Sequence, residues 1–238
     1  MILSAYELGF RLLNERIRSV NGDVTVYDCF GERFIGAGAS SKTIVINGTP
    51  GNALGMYLDG ATIIVNGNSQ DAVGDTMNDG KIIINGNAGD ALGYAMRGGK
   101  IFVRGDAGYR TGIHMKEYKD KKPVIIIGGC TGSFLGEYLA GGCIIVLGLN
   151  TDDYPAGEFT GVGMHGGEIF IRSSKPPVNL PGQVTAGIAG EEDICRIKDD
   201  IQEFSEVFNI KTEEIFSKPI YRLVPNGKNP YKRLYMDN

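Results

Sequence analysis

The sequence predicts an all-β solenoid, a parallel β-helix of about seven coils, with an N-terminal helix and a C-terminal helical and extended tail. Three observations predict this class. Glycine makes up 36 of the 238 residues, about twice its usual frequency of roughly 7%. Nearly the same stretch recurs at a fixed spacing along the chain. Each copy opens on Ile, Val or Phe, which favour strands, and contains no helical pattern.

The N-terminal segment, residues 1–22, is predicted to be a capping helix. Ser4 and Glu7 form a capping box at its start, and Gly22 follows the helical pattern of residues 4–20 as a stop. We expect this helix to cover the first coil, because the open end of a solenoid is an unpaired sheet edge.

Residues 23–174 form the predicted repeat domain. A degenerate copy at 23–39 opens it, and a final strand at 168–174 closes it. Aligned on the glycine that ends each apolar run, the copies step by 19, 19, 19, 24 and 19 residues. The glycines of this column are Gly48, Gly67, Gly86, Gly105, Gly129 and Gly148. A second column follows, and we expect positive φ there, because the coil must turn sharply. Its members are Gly55, Gly74, Gly93, Gly112, Gly136 and Gly161.

The strands of the repeat are predicted to have two apolar faces. Successive side chains point to opposite faces of a strand, and one face is wholly β-branched, so it is the coil interior. The centre of the opposite face is an apolar row that we call the outer stripe. Its members are Val45, Ile64, Ile83, Phe102, Ile126, Ile145 and Phe170. Such a row marks a covered face or an interface.

Residues 175–238 are predicted to be a linker, a helix and an extended tail. The Pro-rich stretch 175–182 ends the repeat, and residues 191–209 carry apolar side chains at helical spacing. A short helix at 211–216 precedes the extended stretch 221–235. The helix at 191–209 and a partner chain are both candidate covers for the outer stripe, and the partner includes a second copy of this chain.

The net charge and the distribution of apolar residues argue against nucleic-acid binding, secretion and a membrane helix. The net charge of −4 provides no basic field for nucleic acid or a membrane surface. The first residues lack the basic segment and apolar run of a signal peptide, so we expect a cytoplasmic protein. The apolar stretch 124–149 is long enough for a membrane helix, but its glycines fall in register with the repeat.

The sequence shows no catalytic, cofactor-binding or metal-binding constellation. Cys29, Cys130, Cys143 and Cys195 fit no zinc pattern and are expected to be reduced thiols. His114 and His165 are the two histidines and lie two copies apart, which makes a metal pair a minor alternative. Asp71 and Asp90 occupy equivalent turn positions. They are either a carboxylate pair or, as we expect, acceptors for backbone N–H groups in their own turns.

The repeat resembles a known family. The stretches "NGNAGDALGYAMRGGKIFVRGDAG" and "DCFGERFIGAGA" resemble the GXGXG domain. This domain forms the C-terminal part of the glutamate synthase large subunit and one of the subunits of formylmethanofuran dehydrogenase. The resemblance covers about residues 23–174 and implies a single-stranded right-handed β-helix.

The resemblance also implies a function. In glutamate synthase the domain carries no catalytic residue and holds an amidotransferase domain and an FMN and iron–sulfur synthase domain together. We therefore expect a non-catalytic scaffold subunit of a glutamate-synthase-like complex in nitrogen assimilation. Its partners would be amidotransferase and FMN-binding chains, and FMN and the iron–sulfur cluster would lie in a partner. The alternative is a structural subunit of a molybdenum or tungsten formylmethanofuran dehydrogenase.

Overall fold

A computed structural model describes residues 1–227, and these form one sheet of eleven strands with three helices. The strands are β1 (Ile2–Ser4), β2 (Val24–Phe30), β3 (Thr43–Thr49), β4 (Asp59–Asn66), β5 (Asp79–Ile84), β6 (Lys100–Val103), β7 (Val124–Ile127), β8 (Ala140–Val146), β9 (Gly166–Arg172), β10 (Val184–Ile188) and β11 (Ile220–Pro225). The helices are α1 (Ala5–Ser19), α2 (Glu191–Phe208) and α3 (Thr212–Ile215). The predicted extended stretch falls partly on β11, and its remainder after residue 227 lies outside the described residues.

The repeat copies pair in parallel and in register. From β1 to β9, each strand hydrogen-bonds to the next one along the chain. Ile44 lies opposite Ile63, Ile63 opposite Ile82, and Ile82 opposite Ile101. The 19-residue step therefore places identical residue types side by side. The returning segments between strands also meet, through isolated bridges from Ala88 to Ala107 and onwards to Thr131.

The predicted all-β solenoid class is wrong. The structure has one mixed sheet with helices packed on it, so the fold is an α/β sheet. Strand β11 pairs antiparallel with β9, and β10 pairs antiparallel with β11. The repeat pattern specifies only the parallel copies. The antiparallel strands come from residues beyond the repeat, where the strand pattern does not recur, and the helix that lies on the sheet is specified by the helical spacing within residues 191–209.

The interior rows of the repeat form the main core. Every interior strand position from Ile44 to Ile171 that carries a β-branched residue is completely buried, as are Leu58, Met77 and Met96 from the returning segments. The second glycine column has positive φ, as expected, with 64° at Gly55 and 68° at Gly93. An interior of this density leaves no space for a methyl group at Gly55, because a Cβ there would lie 2.6 Å from Ile82 Cδ1.

The N-terminal helix begins and ends close to the expected residues. Ser4 is its N-cap, and its side chain accepts a hydrogen bond from the Glu7 amide at 3.4 Å. The helix ends at Ser19 with Val20 as its C-cap, just before the predicted stop at Gly22. It packs against β2 and the first returning segment, where the Asn14 amide group donates to Arg33 O at 2.9 Å.

Candidate interaction surfaces

Helix α2 covers most of the outer stripe. Phe102, Ile126, Ile145 and Phe170 are almost fully buried, in one apolar cluster with Ile197, Ile201, Phe204 and Phe208 of α2. The Phe102 and Phe204 rings meet edge to face, with their centroids 5.7 Å apart. The stripe and the apolar side of α2 therefore form a second core on the outer face of the sheet.

Ion pairs between the strands and α2 lie along the edge of this second core. Lys100 Nζ lies 2.6 Å from Asp200 Oδ1 and 2.7 Å from Glu203 Oε2, and Lys81 also pairs with Glu203. Burial and the neighbouring Lys100 charge lower the pKa of Lys81. These partly exposed pairs orient α2 across the strands more than they stabilise it, because screening leaves such pairs little net energy.

The outer stripe is less covered at its N-terminal end. Val45 and Ile64 remain partly exposed. The same outward row continues through Thr25 to Ile2, which is 75% exposed. The role of the stripe as a partner interface therefore stays a prediction, and α2 restricts it to the part that includes Val45 and Ile64.

The predicted carboxylate positions hold the turns together between copies. Asp71 Oδ1 accepts from the Asp90 amide at 2.9 Å, and Asp90 Oδ1 accepts from the Tyr109 amide at 2.8 Å. Each side chain thus bonds the backbone of the next copy, 19 residues on, and not its own turn. The prediction that these carboxylates accept from backbone N–H groups is confirmed, but the prediction that they do so within their own turns is wrong.

The two histidines lie in different surroundings. His114 is exposed and sits between two tyrosines, whereas His165 Nδ1 lies 3.1 Å from Gly163 O. Within residues 1–227, no cluster of three or more His, Cys, Asp or Glu side chains is arranged to hold a metal ion.

The cysteines are all free thiols. Burial raises the pKa of Cys29 and of Cys143 to about 12. Both therefore stay protonated, whereas Cys195 is exposed on α2.

A partly exposed aromatic surface crosses the returning segments of the later copies, and sequence reasoning missed it. Its first row is Tyr94, His114 and Tyr138, in which the His114 and Tyr138 rings stack at 5.1 Å. Its second row is Arg110, Phe134 and Phe159. The Arg110 guanidinium lies 4.7 Å from the Phe134 centroid, and the two phenylalanine rings stack at 4.9 Å. We call these six residues the aromatic patch.

The backbone conformation of the second row of the patch lowers the stability of the fold. Arg110, Phe134 and Phe159 have φ of 57°, 64° and 61°, a region that disfavours residues with a Cβ, at a cost of about 1–2 kcal/mol each. Equivalent positions in the earlier copies also have positive φ and carry phenylalanine at Phe34 but alanine at Ala53, Ala72 and Ala91. The fold therefore accepts alanine at this position, and the large side chains are not needed for the turn itself.

The two central rings of the patch, Phe134 and Tyr138, present their edges rather than their faces. Phe134 lies between the Arg110 guanidinium and the Phe159 ring, so both of its faces are covered. Tyr138 lies between His114 and the backbone of Gly163, where a Cβ would come within 2.6 Å of Tyr138 Cε1. A base or a sugar ring needs an open face to stack on. Aromatic side chains together with arginine are instead enriched at protein–protein contacts.

The fold and its surfaces define a class of repeat protein in which parallel copies stack in register and expose their returning segments. The model of the GXGXG motif family matches residues 14–220. The chain therefore belongs to this family. No helix among residues 1–227 combines the length and the hydrophobicity needed to cross a membrane.

One protein of similar sequence and one solved structure of similar fold match this chain. The uncharacterized protein MJ1350 of Methanocaldococcus jannaschii is 42% identical over 250 aligned positions, which cover 99% of this chain and 96% of that protein. A chain of the formyltransferase/hydrolase complex FhcABCD from Methylorubrum extorquens, solved by X-ray crystallography with methylofuran, gives a TM-score of 0.64 at 22% identity. The match covers 77% of this chain and 67% of that chain, and shows a shared fold.

Proposed function

We propose that this chain is a structural subunit of a multi-subunit, oxidoreductase-type enzyme complex, and that the aromatic patch contacts a partner subunit. The patch carries this proposal, because three large side chains in successive copies occupy strained backbone positions where the three copies before them use alanine. Aromatic residues and arginine are enriched at protein interfaces and among the few residues that dominate the binding energy there. Membership of the GXGXG family and the occurrence of the fold in a multi-subunit complex support the same role.

Two kinds of complex are candidates. The first is a glutamate-synthase-like complex with amidotransferase and FMN-binding partners, and it rests on the motif resemblance. The second is a complex of the formylmethanofuran dehydrogenase type, in which this chain is the counterpart of the subunit that carries the GXGXG domain. The FhcABCD neighbour favours the second candidate, since it contains the same fold in a complex solved with methylofuran.

Purification of the tagged full-length chain from its native cells tests the subunit role. We expect it to elute in a stoichiometric complex larger than 25.6 kDa. Phe134→Asp should release the chain from this complex, because it removes the central ring of the patch and places there a carboxylate that the contact would have to desolvate. Tyr57→Asp is the matched control, since Tyr57 is 50% exposed, has a φ of 56° and lies outside the patch.

The cofactors of the purified complex separate the two candidates. Flavin and iron–sulfur absorbance with glutaminase activity in the partner fractions would identify the glutamate-synthase type. Molybdenum or tungsten bound to a pterin would identify the formylmethanofuran type. A chain that purifies alone, or one that turns over glutamine or a formyl donor without any partner, would contradict the structural role.

A further inference from the structure

The first returning segment of the repeat lacks the partner that each later one has. In later copies, backbone N–H groups donate to carbonyl groups of the preceding copy. Gly55 N donates to Ile35 O, and Asp59 N donates to Ala39 O, both at 2.9 Å. The counterparts one copy earlier are Gly36 and Ser40. No copy precedes these two residues, so their N–H groups have no carbonyl of a preceding copy to donate to.

A neighbouring N–H group shows which acceptor the chain uses where the carbonyl group of a preceding copy is missing. Thr62 N donates to Lys42 O at 2.9 Å, and its counterpart in the first copy is Thr43. Thr43 N donates instead to the Asp23 carboxylate, Oδ1, at 2.7 Å. At this position a carboxylate oxygen replaces the missing carbonyl. No atom within residues 1–227 does the same for the amides of Gly36 and Ser40.

Both amides belong to residues that line a cavity of about 530 Å³ between α1 and the first returning segment. Its charged lining residues are Arg18 and Lys42, and the described lining contains no acidic side chain. Lys42 Nζ donates to Ile17 O at 2.8 Å and to Val20 O at 2.6 Å. It therefore neutralises the carbonyl end of α1, which would otherwise repel an anion. Arg18 is exposed and makes no ion pair with the described residues.

We propose that this cavity binds a small oxyanion, a phosphate or a carboxylate group. The Gly36 and Ser40 amides donate to its oxygens, and the Arg18 guanidinium provides the counter-charge. Asp23 at Thr43 is the precedent within the same chain for an anionic oxygen on such an amide. The cavity volume lies in the range of small-molecule sites, roughly 300–1,000 Å³. This site is independent of the aromatic patch and of the proposed subunit role.

Amide chemical shifts of the ¹⁵N-labelled full chain test the proposal directly. Inorganic phosphate and acetate are titrated separately against sodium chloride at matched ionic strength. We expect saturable shifts of the Gly36 and Ser40 amides with phosphate or acetate, and none with chloride. Arg18→Gln should weaken the affinity about tenfold, the effect of removing one charge-assisted hydrogen bond. Arg16→Gln is the matched control, because Arg16 is exposed on the same helix and does not line the cavity.

The outcomes decide between an oxyanion site and a solvated cavity. Saturation by phosphate at the lower concentration identifies a phosphate site, and saturation by acetate identifies a carboxylate site. Shifts that stay linear, that chloride reproduces, or that Arg18→Gln and Arg16→Gln change equally would overturn the proposal. Both variants replace exposed side chains, so their amide spectra should otherwise superimpose on that of the unmodified chain.

Discussion

Substitution of Gly55 by alanine measures how strictly the returning segments are packed against the strands. Gly55 has φ of +64°, and a Cβ there would lie 2.6 Å from Ile82 Cδ1 and 3.2 Å from Ile63 Cδ1. Both isoleucines are completely buried. The left-handed backbone costs about 1–2 kcal/mol, and overpacking a dense core adds about 1–3 kcal/mol. We therefore expect Gly55→Ala to lower the free energy of unfolding by about 2–5 kcal/mol.

Gly38→Ala is the matched control for this experiment. Gly38 has φ of +65°, but a Cβ there would have no heavy atom within 4 Å. Its cost should therefore be that of the backbone conformation alone, about 1–2 kcal/mol. Urea unfolding followed by circular dichroism gives both values, provided that the slope against urea stays constant. Equal losses in the two variants would refute the argument that steric contact with Ile82 selects glycine at this column.

Three further predictions concern α2 and the thiols. Phe102→Asp should lower the free energy of unfolding by roughly 2–4 kcal/mol, because the charge would be buried without a partner beneath α2; a melting curve that stays unchanged would contradict the burial of this residue. Truncation after Ser174 should make the chain aggregate, measured by light scattering, because it removes α2 from the outer stripe; a monodisperse truncated chain would count against that role. Cys195 should react with a thiol reagent in the native chain, whereas Cys29 and Cys143 should react only after unfolding, because burial raises their pKa to about 12.

Much of the local structure could be predicted from the sequence because it repeats. The 19-residue step specified which strands pair and which residues face each other, since the same residue type recurs at each position. Side-chain alternation separated the interior rows from the outer stripe, and the glycine columns marked turns of positive φ. Each of these features is a short-range rule applied several times. The helical spacing of Ile197, Ile201 and Phe204 likewise specified α2 and the apolar side that it presents.

The class of the fold and the candidate surfaces depended on contacts between distant residues. The mixed sheet arises because Ile220 to Leu223 pair with β9, far earlier in the chain, and no local pattern specifies that partner. The aromatic patch was missed in the sequence because the residue type at its positions changes between copies, from Ala53, Ala72 and Ala91 to Arg110, Phe134 and Phe159, and its ring contacts form only when the copies stack. The oxyanion cavity depends on N–H groups that the first copy leaves without a carbonyl partner, and only the packing of α1 against that copy encloses them. The sequence by itself therefore determined the repeated unit, because neighbouring residues govern strands and turns. Only the tertiary structure decided which elements pack on the sheet and at its two ends. Those contacts join residues far apart in the sequence, so they depend on the closure of long loops and not on local pattern.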